Sequence, residues 1–275
     1  MFHRPWIYLG VFLMVGLMIQ GLAAYGPGSF HFALPHYYYN SYVAFVFALG
    51  FGLFALLTAG VPLAAVLPAG DTIVLDRQSG MWALLSSRTG RSQAVVWGKA
   101  LAASIGAGVM TAVSLAATWL LDLAWYPLGL PHRVNLTMLD AHPLAGVAPV
   151  GYQPYFASQV FWHHPGWYVL LVAGLLTWAV MCFALVPLAL SRWVSNRYVA
   201  LVLPIVLFFL VVSGLQPLHR YAWTPLVAAG GYLAQGGWHW WSLMIYWAVP
   251  AAGALLILSR PHAPHDNLPT HQLEV

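Results

Sequence analysis

The chain is written in long apolar runs divided by short polar breaks. Helical and strand periodicity are both weak inside the runs, because residues apolar on all sides leave no polar face to repeat. Six runs are long enough to cross a bilayer, which takes about twenty residues as a helix. They cover residues 6–24, 42–67, 98–121, 167–190, 198–215 and 240–259. A strand of a membrane barrel alternates polar and apolar residues, so uninterrupted runs predict helices. The expected fold is therefore all-α: a single transmembrane domain over residues 1–260 with six spans, followed by a short polar tail, 261–275.

Composition agrees with the pattern. Charged residues make up 6% of the chain and hydrophobic residues 61%. A soluble domain carries about 25% charged residues, so this surface is built for lipid. The single cysteine, Cys182, lies within an apolar run and excludes an internal disulfide framework.

Charge then supplies an orientation. Arg4, Arg77, Arg88, Arg91, Lys99, Arg192, Arg197 and Arg260 fall at the N-terminus, in the second and fourth loops and at the C-terminus. Only Arg133 and Arg220 fall on the opposite side. Basic residues collect on the cytoplasmic side, so both termini are expected there. The opposite loops are rich in aromatics suited to the lipid–water boundary, as in "HFALPHYYYNSY" and "QVFWHHPGWY". The first run, with its basic start and small-residue end, also fits a secretory signal peptide; a retained span is expected, since a helical bundle needs no separate export signal.

The loops differ in kind. The external loop, 122–166, is cut by Pro127, Pro131, Pro143, Pro149 and Pro154 and cannot be one helix. The segment between the last two runs is apolar but broken by Pro217, Pro225 and two Gly pairs, which suggests short half-inserted helices.

Candidate chemistry is sparse. There is no GxxxxGK[ST] phosphate loop, no HExxH and no GxSxG. The spans carry almost no ionisable groups, and Asp122 stands at the outer end of the third run, so a carrier coupled to an ion at mid-membrane is not expected. His31, His36, His132, His142, His163, His164, His219 and His239 fall on the outer side without a ligand spacing such as HxxxH. They read as interfacial side chains before a metal or haem site. Asn135 heads an "NLT" triplet, which matters only in a host that glycosylates.

One stretch departs from the rest: residues 68–97, with Lys99 just beyond, hold Asp71, Asp76, Arg77, Arg88 and Arg91 within about thirty residues. A short helix carrying Asp76, Arg77, Met81, Trp82, Leu84 and Leu85, interrupted at Gly80, is expected between two spans. Physical chemistry leaves two uses open. The helix can plug a groove on another protein, or lie on anionic lipid with Trp82 and the arginines as anchors.

The segment "AGDTIVLDRQSGMWALLSSRTGRSQAVVWGKALAAS" resembles the signature region of ABC-2-type permeases, the membrane subunits of ATP-binding-cassette transporters. The similar features are the acidic–Arg pair Asp76–Arg77, Gly80–Met81, Leu84–Leu85, a small polar turn from Ser86 to Arg91, and Gly98–Lys99 opening a span. Two features depart from it. Asp76 stands where the family usually has Glu, and the interfacial helix that many members place before the first span is short or absent.

The resemblance implies a transport subunit, not itself an enzyme, with no cofactor on this chain. ATP and Mg would sit on partner ATP-binding-cassette ATPase subunits in the cytoplasm, and a second permease copy or paralogue would complete the membrane part. Asp76, Arg77, Gly80, Met81, Trp82, Leu84, Leu85, Arg88 and Arg91 would then form the ATPase-coupling element. Arg77, Arg88 and Arg91 would face acidic residues, and Met81, Trp82 and Leu85 would supply apolar anchoring. An apolar path would favour a lipophilic or amphiphilic cargo at the cytoplasmic membrane. The alternative from another class is a non-transporting anchor or sensor subunit holding a cytoplasmic partner through the same loop, or else a metal- or haem-binding subunit.

Overall fold

The computed structural model describes residues 10, 12, 15, 16, 45, 61–67, 72–89, 92–125, 160, 164–215 and 240–260. The described residues are helical with no strands. The helices are α1 (Val61–Val66), α2 (Thr72–Gln78), α3 (Met81–Thr89), α4 (Ser92–Trp125), α5 (Pro165–Phe183), α6 (Leu185–Leu190), α7 (Arg197–Leu215) and α8 (Trp240–Ser259). Most of the first two expected spans, the segment between the last two, and the tail lie outside the described residues.

Three stretches are long and apolar enough to cross a membrane: Gln93–Ala124, Gly166–Leu190 and Trp241–Ser259. A shorter apolar helix covers Arg197–Val211. The protein has the character of a membrane protein. Its packing is also inverted relative to a soluble bundle. On α4 the exposed row is Leu101, Ile105, Val109 and Val113, while Thr111, Ser114, Thr118 and Asp122 on the other face are fully buried. Apolar side chains turned outward at helical spacing suit a hydrocarbon solvent, and polar ones are kept inside where protein can satisfy them.

The third expected span is longer than the sequence suggested. At 34 residues, α4 would extend about 50 Å, against a hydrocarbon core of about 30 Å. It begins at Ser92 and ends at Trp125, so part of the expected polar loop and part of the expected external loop are helix. Ser86 and Ser87 did not end α3 either, because their hydroxyls donate to the carbonyls of Ala83 and Leu84 within the helix, at 3.0 and 2.9 Å.

The fourth expected span is divided. Helix α5 ends at Phe183, Ala184 forms a turn, and α6 resumes at Leu185. Pro187 explains the break: it has no N–H to offer the carbonyl of Phe183, and its ring crowds that position. In contrast, Pro204 and Pro250 lie inside α7 and α8 without ending them.

The core is centred on α4, α5 and α8. Ser104 donates to the carbonyl of Met181 at 3.1 Å, and Gly108 lets the Met181 side chain approach so closely that a Cβ there would stand 2.7 Å from its Cγ. Small residues at such a crossing permit the close backbone approach on which helix association in lipid depends. At the other side of α5, Phe183 meets the rings of Phe208 and Trp247 edge to face, with centroids 5.5 and 6.1 Å apart, joining α7 and α8 to the same core.

Candidate functional site

Helices α2 and α3 form a compact elbow. The hinge is Gly80, whose φ of 72° is a left-handed conformation that a side chain at this position would strain. The inner face of α2 buries Thr72, Ile73 and Val74. From α3, Trp82 points inward and is 4% exposed, as part of the core. The guanidinium of Arg77 stands 6.0 Å from the Trp82 ring centroid, within reach of a cation–π attraction.

Polar contacts fix the elbow to the rest of the molecule. The carboxylate of Asp76 forms an ion pair with Lys99 on α4, and both side chains are largely withdrawn from solvent. Lys99 also donates to the carbonyl of Thr72 at 3.2 Å, so one ammonium holds both ends of α2. On the opposite flank Arg77 donates to the carbonyl of Arg192 at 3.0 Å, and Gln78 to the carbonyl of Ser195 at 2.9 Å.

Arg192 extends the chain of contacts. Its guanidinium donates to the carbonyls of Ile257 and Arg260, at 2.5 and 2.9 Å, at the C-terminal end of α8. The carbonyl of Ile257 also accepts from the backbone N–H of Arg260 at 3.3 Å, and a cation there meets the negative end of the helix dipole. Gln93, at the start of α4, donates to the carbonyl of Leu258 at 2.8 Å. The turn after α6 is tight: Ser191 donates to the carbonyl of Leu188 at 2.6 Å, and Asn196 caps α7 by accepting from the backbone N–H of Tyr198 at 2.9 Å. The structure thus gathers α2, the start of α4, the turn between α6 and α7 and the end of α8 at one end of the bundle.

The outer face of the elbow is different. Met81 and Leu84 are 45% and 56% exposed, with Ala83, Ser87 and Arg88 exposed beside them. Leu85 is half-buried. The site residues expected from the sequence therefore divide. Asp76, Arg77 and Trp82 are turned to the protein, Gly80 sets the bend, and Met81, Leu84 and Arg88 face outward. Trp82, expected as an outward anchor, is structural. Arg91 lies outside the described residues.

Lys99, Arg192, Gln78 and Gln93 complete the site, although none was expected to be part of it. Lys99 had a signal, as the single lysine of a chain with few charges. Arg192 had none beyond its place among the basic residues of one side. Among the described residues no group of three or more His, Cys, Asp or Glu side chains could hold a metal ion. His164 is exposed, Cys182 is buried, and the other outer histidines lie outside the described residues.

No protein-family model, curated protein or solved structure matches the chain.

Proposed function

We propose that this chain is the membrane-spanning permease subunit of an ATP-binding-cassette transporter, with six spans and both termini in the cytoplasm. In this reading the α2–α3 elbow is the element gripped by a separate ATPase. The observation that carries it is the two-sided character of the elbow. Its inner side is anchored to three separate parts of the bundle through Asp76, Arg77 and Trp82, and its outer side offers Met81, Leu84 and Arg88.

An exposed apolar pair beside a cation suits a cleft with apolar walls and an acidic rim. An elbow held this firmly transmits movement to α4 and α8 instead of absorbing it. ATP-driven closure of the ATPase pair would then shift the elbow as a unit, with coupling residing in the different contacts made in the two states. Arg88 would form a charge-assisted pair with the ATPase, while Arg77 acts from within by holding the Arg192 carbonyl. The chain supplies no ATP site; nucleotide and Mg belong to the partner. A second copy or paralogue would complete the permease in the cytoplasmic membrane, and its cargo would be lipophilic or amphiphilic.

The test is co-purification from native membranes with a phosphate-loop ATPase. The wild-type chain should retain one, and Arg88→Glu should lose it with insertion unchanged. Equal ATPase retention by both, or none by either, contradicts the reading.

A further inference from the structure

The contacts that tie the helices together fall into two groups with a layer between them. On the elbow side, Arg192 holds the carbonyls of Ile257 and Arg260, Gln93 holds that of Leu258, and Arg77 and Gln78 hold those of Arg192 and Ser195. On the far side, the indole N–H of Trp178 donates to the carbonyl of Met244 at 3.2 Å and ties α5 to α8. Between these groups lies the aromatic cluster of Phe183, Phe208 and Trp247, all buried.

Each helix that enters this cluster carries a proline beside it. Pro187 follows Phe183 by four residues, Pro204 precedes Phe208 by four, and Pro250 follows Trp247 by three. Because α2 holds the turn between α6 and α7, and Arg192 of that turn holds the end of α8, α7 runs away from the elbow while α6 and α8 run towards it. All three prolines therefore stand on the elbow side of the cluster, each about one turn, or roughly 5 Å, from it.

The prolines weaken their helices at that level. Each withholds an N–H from the carbonyl one turn earlier, that of Phe183, Ala200 or Tyr246, and its ring crowds the same position. Sharp bends in helices arise at such places. The break is complete at Ala184, between α5 and α6, whereas α7 and α8 continue across their prolines. Helix α4 has no proline and passes the layer unbroken. It makes its close crossing there, since Ser104 and Gly108 both meet Met181, two residues from Phe183.

The cluster also favours a second arrangement. The indole N–H of Trp247 is buried and has no hydrogen-bond partner among the described residues. The ring of Phe183, whose carbonyl Pro187 leaves without its usual donor, is in contact with Trp247. An unpaired buried donor raises the energy of the packing that contains it. A bend that pairs Trp247 with such a carbonyl recovers that energy and offsets the cost of bending.

We propose that Pro187, Pro204 and Pro250, set around the Phe183–Phe208–Trp247 cluster, form a hinge layer about which the elbow ends of α6, α7 and α8 turn as one body. Under the permease reading the layer is the fulcrum for movement of the elbow. It rests on helix geometry and is tested on this chain alone, so either reading can fail without the other.

The experiment is double electron–electron resonance between nitroxide labels on the purified chain in nanodiscs. Cysteines are placed in pairs, in a Cys182→Ala background, at four exposed positions: Leu170 and Ile245 on the far side, Trp193 and Leu256 on the elbow side. The same-side pairs, Leu170 with Ile245 and Trp193 with Leu256, should give narrow distance distributions. The cross-layer pairs, Leu170 with Leu256 and Trp193 with Ile245, should be wider by about twofold or more, because hinge motion adds to their spread. Pro187→Ala and Pro250→Ala, which restore an N–H and leave the cluster intact, should each narrow the cross-layer distributions. Trp247→Phe removes the unpaired donor and should narrow them too, by favouring the described packing. The first comparison uses the unaltered layer and decides the matter where a layer variant folds poorly. Equal widths in same-side and cross-layer pairs overturn the proposal, as does a wide cross-layer distribution that neither proline variant narrows.

Discussion

The side chain of Arg77 donates to the backbone carbonyl of Arg192, and the side chain of Arg192 in turn donates to the end of α8. Two arginines far apart in sequence therefore link a short surface helix to the last membrane helix. Arg192→Ala should destabilise the protein by about 1–3 kcal/mol, since two charge-assisted bonds to helix-end carbonyls are lost at a partly exposed site. Arg192→Lys should recover only part of this, because an ammonium cannot hold both carbonyls in a planar fork. Thermal unfolding in one fixed detergent ranks the three proteins, and equal midpoints would show the link to be idle.

The ion pair of Asp76 with Lys99 should behave as a mutual requirement. Either Asp76→Asn or Lys99→Met leaves one mostly withdrawn charge or polar group without its partner, at a cost of about 1–3 kcal/mol. The double variant should cost less than the sum of the two, with a coupling of about 1 kcal/mol or more. Strictly additive losses in a thermal double-mutant cycle would show the pair contributes nothing.

At the hinge, the predicted penalty comes from backbone conformation, not crowding. No atom would meet a Cβ on Gly80 within 4 Å, yet its φ is positive. Gly80→Ala should cost about 1–2 kcal/mol and Gly80→Asn less, because Asn adopts the left-handed region more readily. Equal loss from both substitutions would implicate something other than φ.

Where α4 crosses α5, the reverse holds and crowding decides. Gly108→Val should destabilise by about 1–3 kcal/mol through collision with Met181, and Met181→Ala in the same chain should return part of that loss. Unfolding of the single and double variants in detergent shows whether the rescue occurs.

Much of this organisation was legible in the sequence, for identifiable reasons. The bounds expected for the last span coincide with α8, because a Trp pair opens it and "SRP" closes it. The bend at Gly80 was legible from glycine beside a helical pattern. The division at Ala184 was not anticipated, although Pro187 carries its cause, since Pro204 and Pro250 lie in helices that continue; neighbours decide which proline breaks a helix. The inward turn of Trp82 was missed because a short amphipathic piece does not say which face the bundle will claim. The reach of Arg192 to α8 spans dozens of residues and depends on packing that no local pattern encodes.

The two faces of the elbow should separate cleanly under mutation. Trp82→Ala empties a core position and should cost about 3–5 kcal/mol, lowering yield before any question of function arises. Leu84→Asp and Met81→Lys change exposed positions and should move stability by about 0.5 kcal/mol or less, while ending association with the proposed ATPase. Large stability losses from Leu84→Asp would mean that this face is covered within the protein itself.

The central claim is that the outer face of α3 is held by a motor protein on the cytoplasmic side. The most direct measurement places a photoreactive benzoyl-phenylalanine at position 84 in living cells and identifies the adduct by mass spectrometry. The account predicts a crosslink to an ATP-binding-cassette ATPase, reduced when Arg88→Glu is added. An adduct confined to lipid, or to a protein outside the cytoplasm, would contradict it.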